Sequence, residues 1–502
     1  MKVFLDPIYT TNPQSCSMSY KMQTLARRLV ESREDVFVYI AIPVRPEYAP
    51  DTWWATDEEW FFKHERVGYV PVVMHTDRMR EYYRIPPELM EGLSTTGCFW
   101  DVDVLITCRV PMVPTYQVIM SVVKGKTGLR KVCTVDDMPI LKSRNFISMP
   151  NKEVCEGMTL RGYIDADVNW LMSFWLKREV LSAARNTYTP SVVRRLSDSI
   201  IESWPLRLGE DITPAEKTAE QVSNVGTKEK PLVVAYVQRC DFGRHQYRRI
   251  IDVFMNTYAI NSRDNDLVFA QTTVSKQGAN SVMGDALGRA DSSRDGFRKA
   301  LQEDFHVVLS LSLEEDLGLS LIEPLLLGVP VVLLHSHYTD ATIGEGYPFY
   351  VENVVQACAF IKEFKDDYEG TYTTFARWHR DSFIPLMNSR IDGYWPMQVG
   401  KYLGEIDNEH RDRMVEDATK QEEYQSVASM INESGHHVGT VEGLLEGLGT
   451  SGFKKGSPFP RWQARKTKSL GHQATLIDHR YMLIYKYGWR DNGLGTGKLR
   501  RV

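Results

Sequence analysis

The sequence is poor in the features that mark secreted, metal-stapled or membrane chains. Seven cysteines are scattered over 502 residues, odd in number and never as a Cys-x-x-Cys pair. That spacing argues against a disulfide framework or a zinc module and predicts a reducing compartment. No run reaches the ~18 consecutive apolar residues that a membrane-spanning helix needs. The opening residues Met1 to Pro13 hold one lysine and a strand-length apolar stretch, without a long apolar region or a small-residue cleavage site. They predict a cytoplasmic chain rather than an exported one. No repeat of 20–50 residues is visible, which argues against a solenoid or propeller.

What is present is ordinary globular composition, 43% hydrophobic and 25% charged. The length predicts two or three domains. Net charge is −5 but uneven. The stretch 453–502 carries twelve Lys/Arg against two Asp, a net +10, which leaves −15 on the rest. An acidic body with a basic tail points to a polyanionic partner.

Hydrophobic patterning predicts an alternating α/β chain. Lys2 to Asp6 reads as a strand, a polar loop follows to Ser19, Tyr20 to Glu31 as a helix, and Val36 to Ile42 as a strand. Strands are expected at 103–107 and 131–135, a helix at 169–184, a strand at 186–189, and a helix opening at Pro190. The aromatic, acidic stretch 53–62 carries no assignment. A polar segment, 207–230, separates this unit from a second one. There, strands are expected at 232–237, 267–270, 305–311 and 329–334, with helices at 247–258 and 321–327. The expected architecture is two Rossmann-like domains with a ligand cleft between them and a basic C-terminal extension. The domains would be 1–206, a linker 207–230, 231–372, crossover helices 373–404 and an extension 405–502.

One stretch carries chemistry. It runs from Ser312 through Glu315, Gly318, Leu319, Ser320 and Glu323 to Gly328, Pro330 and Val332. It reads as a strand end, an acidic loop with one glycine, and a helix. Gly318 would let the backbone approach a ligand, and the Leu319 and Ser320 amides would open a helix N-terminus suited to an anion. Glu323 would sit in the first turn. A plainer reading fits the same residues: Ser320 and Glu323 have the spacing of a capping box.

Glu315 and Glu323 are separated by seven residues, with Ser312 upstream and Gly-x-Pro-Val-Val downstream. This pattern resembles the donor motif of retaining, family 4-type glycosyltransferases of the GT-B fold. Asp316, Leu317 and Pro324 depart from the usual Gly, Phe and Ala. The family also places two cations five residues apart after the first strand of its C-terminal domain, and Arg239 and Arg244 have that spacing. The resemblance implies that Arg239, Arg244 and the Leu319 and Ser320 amides hold the donor diphosphate. It implies that Glu323 binds the ribose hydroxyls and Glu315 the transferred sugar, with retention and no metal requirement. The implied donor is a nucleotide-diphosphate sugar, UDP-linked by first choice. The resemblance extends over about 1–400, including a closing helical run at 373–403. The N-terminal domain departs from it. The loop Pro7 to Ser15 has no glycine, and Asp136 stands where the family has His. Asp136 reads either as a group that positions sugar or acceptor, or acts as base, or as a strand-end carboxylate capping the next loop.

Smaller signals remain. His335 and His337 would face one side of a strand, without an evident third metal ligand nearby. Lys124 to Gly128 reads as a turn, since it lacks the phosphate-loop spacing. The tail interleaves Lys454, Lys455, Arg461, Trp462, Arg465, Lys466, Tyr485, Trp489 and Arg490, a pattern able to neutralise phosphates and stack on bases or to pack on the acidic body. A nucleic-acid acceptor would make the chain similar to bacteriophage enzymes that glycosylate modified DNA bases, placing it in the host cytoplasm. The alternatives are transfer to protein, lipid or glycan, and a non-catalytic nucleic-acid-binding or assembly protein on the same scaffold. Oligomeric state is not readable.

Overall fold

The computed structural model describes residues 1–7, 17–44, 62–73, 85, 102–124, 129–136, 152–237, 266–271, 294–312, 318–419, 489–491 and 499–501. The expected helix at 247–258 lies outside these residues, as does most of the stretch 53–62.

The first unit is a seven-stranded sheet. Its strands are β1 (Lys2–Asp6), β2 (Phe37–Val44), β3 (Val67–Val73), β4 (Val104–Thr107), β5 (Lys131–Asp136), β6 (Asn169–Leu171) and β7 (Ile200–Glu202). They lie in the order β3-β2-β1-β4-β5-β6-β7, every pair parallel. The connecting helices are α1 (Ser17–Ser32), α2 (Val113–Lys124), α3 (Lys152–Asp165), α4 (Phe174–Arg185) and α5 (Pro190–Ser199). Helices on a parallel sheet bury both faces, so β1 and β4 read as unbroken apolar runs. Val3, Leu5, Val104 and Ile106 have no exposure, and they meet Met22, Leu25, Ala26 and Leu29 of α1 in one core.

After β7 the chain crosses to a second sheet through a segment holding one short helix, α6 (Ala219–Val222). This segment is polar overall, yet Leu206, Ile212, Val222 and Val225 are buried in the second core. The second sheet has β8 (Leu232–Tyr236), β9 (Leu267–Gln271), β10 (Val307–Ser310), β11 (Val331–Leu334) and β12 (Tyr350–Val351). It too is parallel, in the order β12-β11-β10-β8-β9. Its helices are α7 (Arg294–Glu303), α8 (Leu319–Leu326), α9 (His337–Ile343), α10 (Val354–Asp366), α11 (Tyr368–Trp378) and α12 (Ile384–Ser389), with a π-helical turn between the last two. A long helix, α13 (Trp395–Thr419), then returns to the first unit. Its Trp395, Val399, Leu403 and Ile406 belong to the first sheet's core. Two three-residue strands, β13 (Trp489–Asp491) and β14 (Leu499–Arg501), pair antiparallel near the C-terminus. No described helix is long and apolar enough to cross a membrane.

Several local expectations are corrected. Residues 169–184 are not one helix: β6 comes first, because Asn169 is bound into the sheet region. Thr134 Oγ1 donates to its Oδ1 at 2.6 Å, and its Nδ2 donates to the Tyr163 carbonyl at 2.8 Å. Ser173 then caps α4 by accepting from the Leu176 amide. Residues 186–189 form no strand. The amides of Asn186, Thr187 and Tyr188 bond back to the Ala183 and Ala184 carbonyls and close the end of α4. Strands β3, β7 and β12 were not anticipated. His335 and His337 do not share a strand, because β11 ends at Leu334 and Ser336 caps α9.

Candidate donor site

In the second sheet the chain leaves β8 for β9 on one side and returns in β10 on the other. The switch point therefore lies between β8 and β10, where ligands of open parallel sheets bind, beyond the carboxyl ends of the strands. Leu309 pairs with Tyr236, so the two strands end side by side. The chain leaving β8 enters the stretch with Arg239 and Arg244. The chain leaving β10 enters the stretch with Glu315. All three residues lie outside the described residues; what the fold fixes is the pair of strand ends from which both stretches start.

The chain becomes describable again at Gly318, with φ 66° and ψ 56°. That left-handed backbone costs a residue with a Cβ about 1 kcal/mol or more, so glycine is the fitting residue there. Leu321 and Ile322 donate to the Gly318 carbonyl at 2.7 and 3.1 Å. The Leu319 and Ser320 amides precede these bonds and are the donors that a helix start leaves for a cap or ligand. The capping-box expectation fails here. Gly318, not Ser320, is the N-cap, and no side chain caps the helix. With the start moved back, Glu323 is the fifth residue of α8, in its second turn rather than its first.

Around Glu323 the helix is apolar. Leu321, Ile322, Leu325 and Leu326 are fully buried, and each such side chain contributes about 1.5–3 kcal/mol by leaving water. Glu323 itself is only 3% exposed. A carboxylate so placed needs a cation, and Arg298 of α7 supplies it. Arg298 Nε and Nη2 both donate to Glu323 Oε1, at 3.0 and 2.8 Å. Its Nη1 donates to the Asp211 carbonyl at 2.9 Å. Burial opposes the charge on Arg298, but Glu323 and the neighbouring Tyr20 outweigh it, so its pKa is raised. The sequence reading missed Arg298. Its one signal was a basic residue on the helix preceding β10. Nearby, the Tyr338 hydroxyl donates to the Ser312 carbonyl at 3.1 Å and ties down the end of the β10 segment.

The first sheet has its own switch point, between β1 and β4. A buried network closes it, also missed in the sequence. Asp6 at the end of β1 accepts from Thr107 Oγ1 at 2.8 Å, Tyr116 Oη at 2.7 Å and Arg109 Nε at 3.2 Å. Asp6, Thr107, Arg109 and Tyr116 have no exposure. Burial, together with the Asp6 charge, holds the Tyr116 phenol well above its usual range. The cluster fixes the strand ends and is sealed from solvent. Asp136 is the last residue of β5, with its backbone in register with Leu171, which puts it on the same edge of the first sheet.

His335 is paired with two carboxylates. Its Nε2 lies 2.9 Å from Asp340 and its Nδ1 3.4 Å from Glu352; burial works to lower its pKa, but the two carboxylates together outweigh it, so the pKa is raised. Among the described residues no group of three or more His, Cys, Asp or Glu could hold a metal ion. The basic tail residues have no described side chains.

No protein-family model matches the chain, and no curated protein matches it in sequence. Solved structures do match in fold. HepE from Anabaena, crystallised with UDP and glucose, gives a TM-score of 0.51 at 11% identity, covering 81% of this chain and 99% of that one. Sucrose-phosphate synthase from Thermosynechococcus elongatus gives 0.52 at 12% identity, covering 81% and 99%. TarM from S. aureus gives 0.52 at 10% identity, covering 78% and 97%. At these identities the likeness is one of fold: the chain has the two-domain GT-B architecture, built on two parallel α/β sheets.

Proposed function

We propose that the protein is a retaining glycosyltransferase that moves a sugar from a nucleotide-diphosphate sugar, UDP-linked by preference, to an acceptor. The observation that carries this reading is the left-handed Gly318 at the N-cap of α8, beside the switch point of the second sheet. It leaves two helix-start amides where a diphosphate would lie, with Glu323 on the same helix. The stretches with Arg239 and Arg244, and with Glu315, start from the adjoining strand ends. HepE, which shares the fold, was crystallised with UDP-glucose, which supports the donor class.

In this reading the Leu319 and Ser320 amides and the two arginines bind the diphosphate and neutralise charge developing on the leaving group. Glu323 accepts from the ribose hydroxyls, and Glu315 orients the transferred sugar. Front-side attack by the acceptor retains configuration without a covalent intermediate. Asp136, on the edge of the first sheet, is assigned to the acceptor side, as a positioning group or base. A base in DNA is the acceptor favoured by the basic, aromatic tail; sucrose-phosphate synthase, of the same fold, is named for a sugar product, which favours a sugar or glycan.

A thermal-shift screen with UDP, GDP, ADP and CMP and their sugar conjugates tests the donor site, because a ligand specific to the folded state raises the melting temperature. The expected result is a shift with one nucleotide that shrinks in Glu323→Ala. A chain that no nucleotide stabilises, and that hydrolyses no sugar nucleotide, would be a non-catalytic scaffold. Salt-sensitive retardation of duplex DNA, lost on deleting 453–502, would select the DNA acceptor, and its absence would select a protein, lipid or glycan acceptor.

A further inference from the structure

Arg298 is tied to three separate parts of the molecule. Two of its nitrogens take the same oxygen of Glu323, at 2.8 and 3.0 Å. A third takes the carbonyl of Asp211, in the segment joining the two sheets, at 2.9 Å. Tyr20 of α1, in the first domain, stands close enough to the same guanidinium to favour its charged form. The segment and α1 are themselves linked. Arg28 of α1 pairs with Glu210 at 2.8 Å and approaches Asp211 at 3.8 Å. The guanidinium is planar with its donors in a fixed fork, so partners on three sides set its plane and leave it little freedom. A carboxylate held by two donors of such a fork inherits that rigidity.

We propose that Arg298 is a positioning residue for donor binding: it fixes the Glu323 carboxylate for the nucleotide's ribose and refers its position to the joining segment and the first domain. The inference rests on the donor-site reading given above. Arg298 acts through Glu323 and does not itself contact the nucleotide. A diol-binding acceptor must be held to within about half an ångström and 10–20° to be effective. Glu323 lies on a helix that could set its backbone alone. The side chain still has three rotatable bonds, and the two Arg298 donors on Oε1 restrain them.

The test is titration calorimetry of the full chain with UDP, on wild type, Glu323→Ala, Arg298→Met, Arg298→Lys and the double variant Arg298→Met/Glu323→Ala. Each is measured well below its own melting temperature. The expected result is that Arg298→Met weakens UDP binding about tenfold or more, as for loss of a charge-assisted contact made by two donors. The double variant should bind no more weakly than Glu323→Ala alone, because with the carboxylate gone Arg298 has nothing to position. Arg298→Lys, which keeps the charge but loses the fork, should fall between wild type and Arg298→Met.

A residue of purely structural importance would instead give additive losses in the double variant, and additivity overturns the inference. If Arg298→Met does not fold, Arg298→Lys and its double variant with Glu323→Ala carry the same cycle. Wild-type binding that Glu323→Ala weakens and Arg298→Met and Arg298→Lys both preserve overturns the inference and leaves the donor site standing. A wild-type chain that binds neither UDP nor GDP, ADP or CMP removes the donor-site reading, and this inference with it.

Discussion

His306 shows how one side chain converts its surroundings into pH dependence. It lies next to β10, 8% exposed, and its Nδ1 accepts the Val233 amide at 2.9 Å. An imidazole accepting at Nδ1 must be unprotonated there. Burial first, then the nearby positive Lys217 and Lys230, lowers its pKa to about 3. In the unfolded chain it would titrate at about 6.5. Between these values the unfolded state binds the extra proton, so stability falls as pH drops from about 6.5 towards 3. The loss should reach a few kcal/mol at the acid end. Urea unfolding at pH 7.0, 6.0 and 5.0 reads the upper part of this window, above most carboxylate titrations. His306→Asn should be less stable at pH 7 but lose less on going to pH 5. Parallel slopes for the two chains would refute the assignment. The Asp6–Arg109 pair makes a related point about legibility. Its members are 103 positions apart, so no local pattern relates them.

At the scale of elements, Gly328 sets how α8 ends and how the joining segment passes it. Its φ is +74°, and a Cβ there would stand 2.5 Å from the Ala215 carbonyl oxygen and 2.9 Å from the Glu216 Cα. Both are backbone atoms of a segment pinned by the Ala215 amide, which donates to the Leu326 carbonyl at 2.9 Å. Gly328→Ala combines left-handed strain with a clash that only a backbone shift relieves. It should cost about 2–4 kcal/mol, measurable as a lower urea midpoint with an unchanged slope. A loss under about 0.5 kcal/mol, typical of a neutral surface change, would show that the segment yields freely. Legibility at this scale followed length and burial. Strands β1, β2, β4, β5, β8, β9, β10 and β11 announced themselves as apolar runs. Strands β6 and β7 have three residues each, too few to show a period, and only their neighbours make them strands. The start of α8 was misplaced because Ser320 and Glu323 imitate a cap that Gly318 pre-empts.

For the whole molecule, the two passages between domains run together. Trp204, leaving the first sheet, pairs with Tyr394, returning to it. Its amide donates to the Gly393 carbonyl at 2.7 Å, and the Trp395 amide donates to the Trp204 carbonyl at 2.8 Å. Arg390 lies over the Trp204 ring at 4.7 Å and donates to the Thr342 and Ala341 carbonyls. The two passages are thus bonded to each other at one point. Beyond it, α13 covers α1 and completes the first core. A chain ending at residue 394 should therefore lose cooperative unfolding of the first domain and expose apolar surface to a hydrophobic dye. One ending at 419 should keep both properties close to those of the full chain. Equal behaviour of the two truncations would show that α13 contributes nothing to the first core.

The sequence by itself determined the alternation of strands and helices and the parallel α/β class, and it is where the proposed donor site was read. Each rests on local patterns: apolar runs, a glycine before a helix, two glutamates at fixed spacing. It also showed that charge is segregated into a basic tail. Tertiary structure alone decided the strand order, and hence that the chain ends leaving β8 and β10 adjoin. It alone brought Arg298 to Glu323 and sealed Asp6 with Arg109. It alone placed Trp395, Val399, Leu403 and Ile406 of α13 in the core with α1. The physical reason is that a buried charge is recognisable only with its partner, and these partners meet through packing between elements, which leaves no period in the chain.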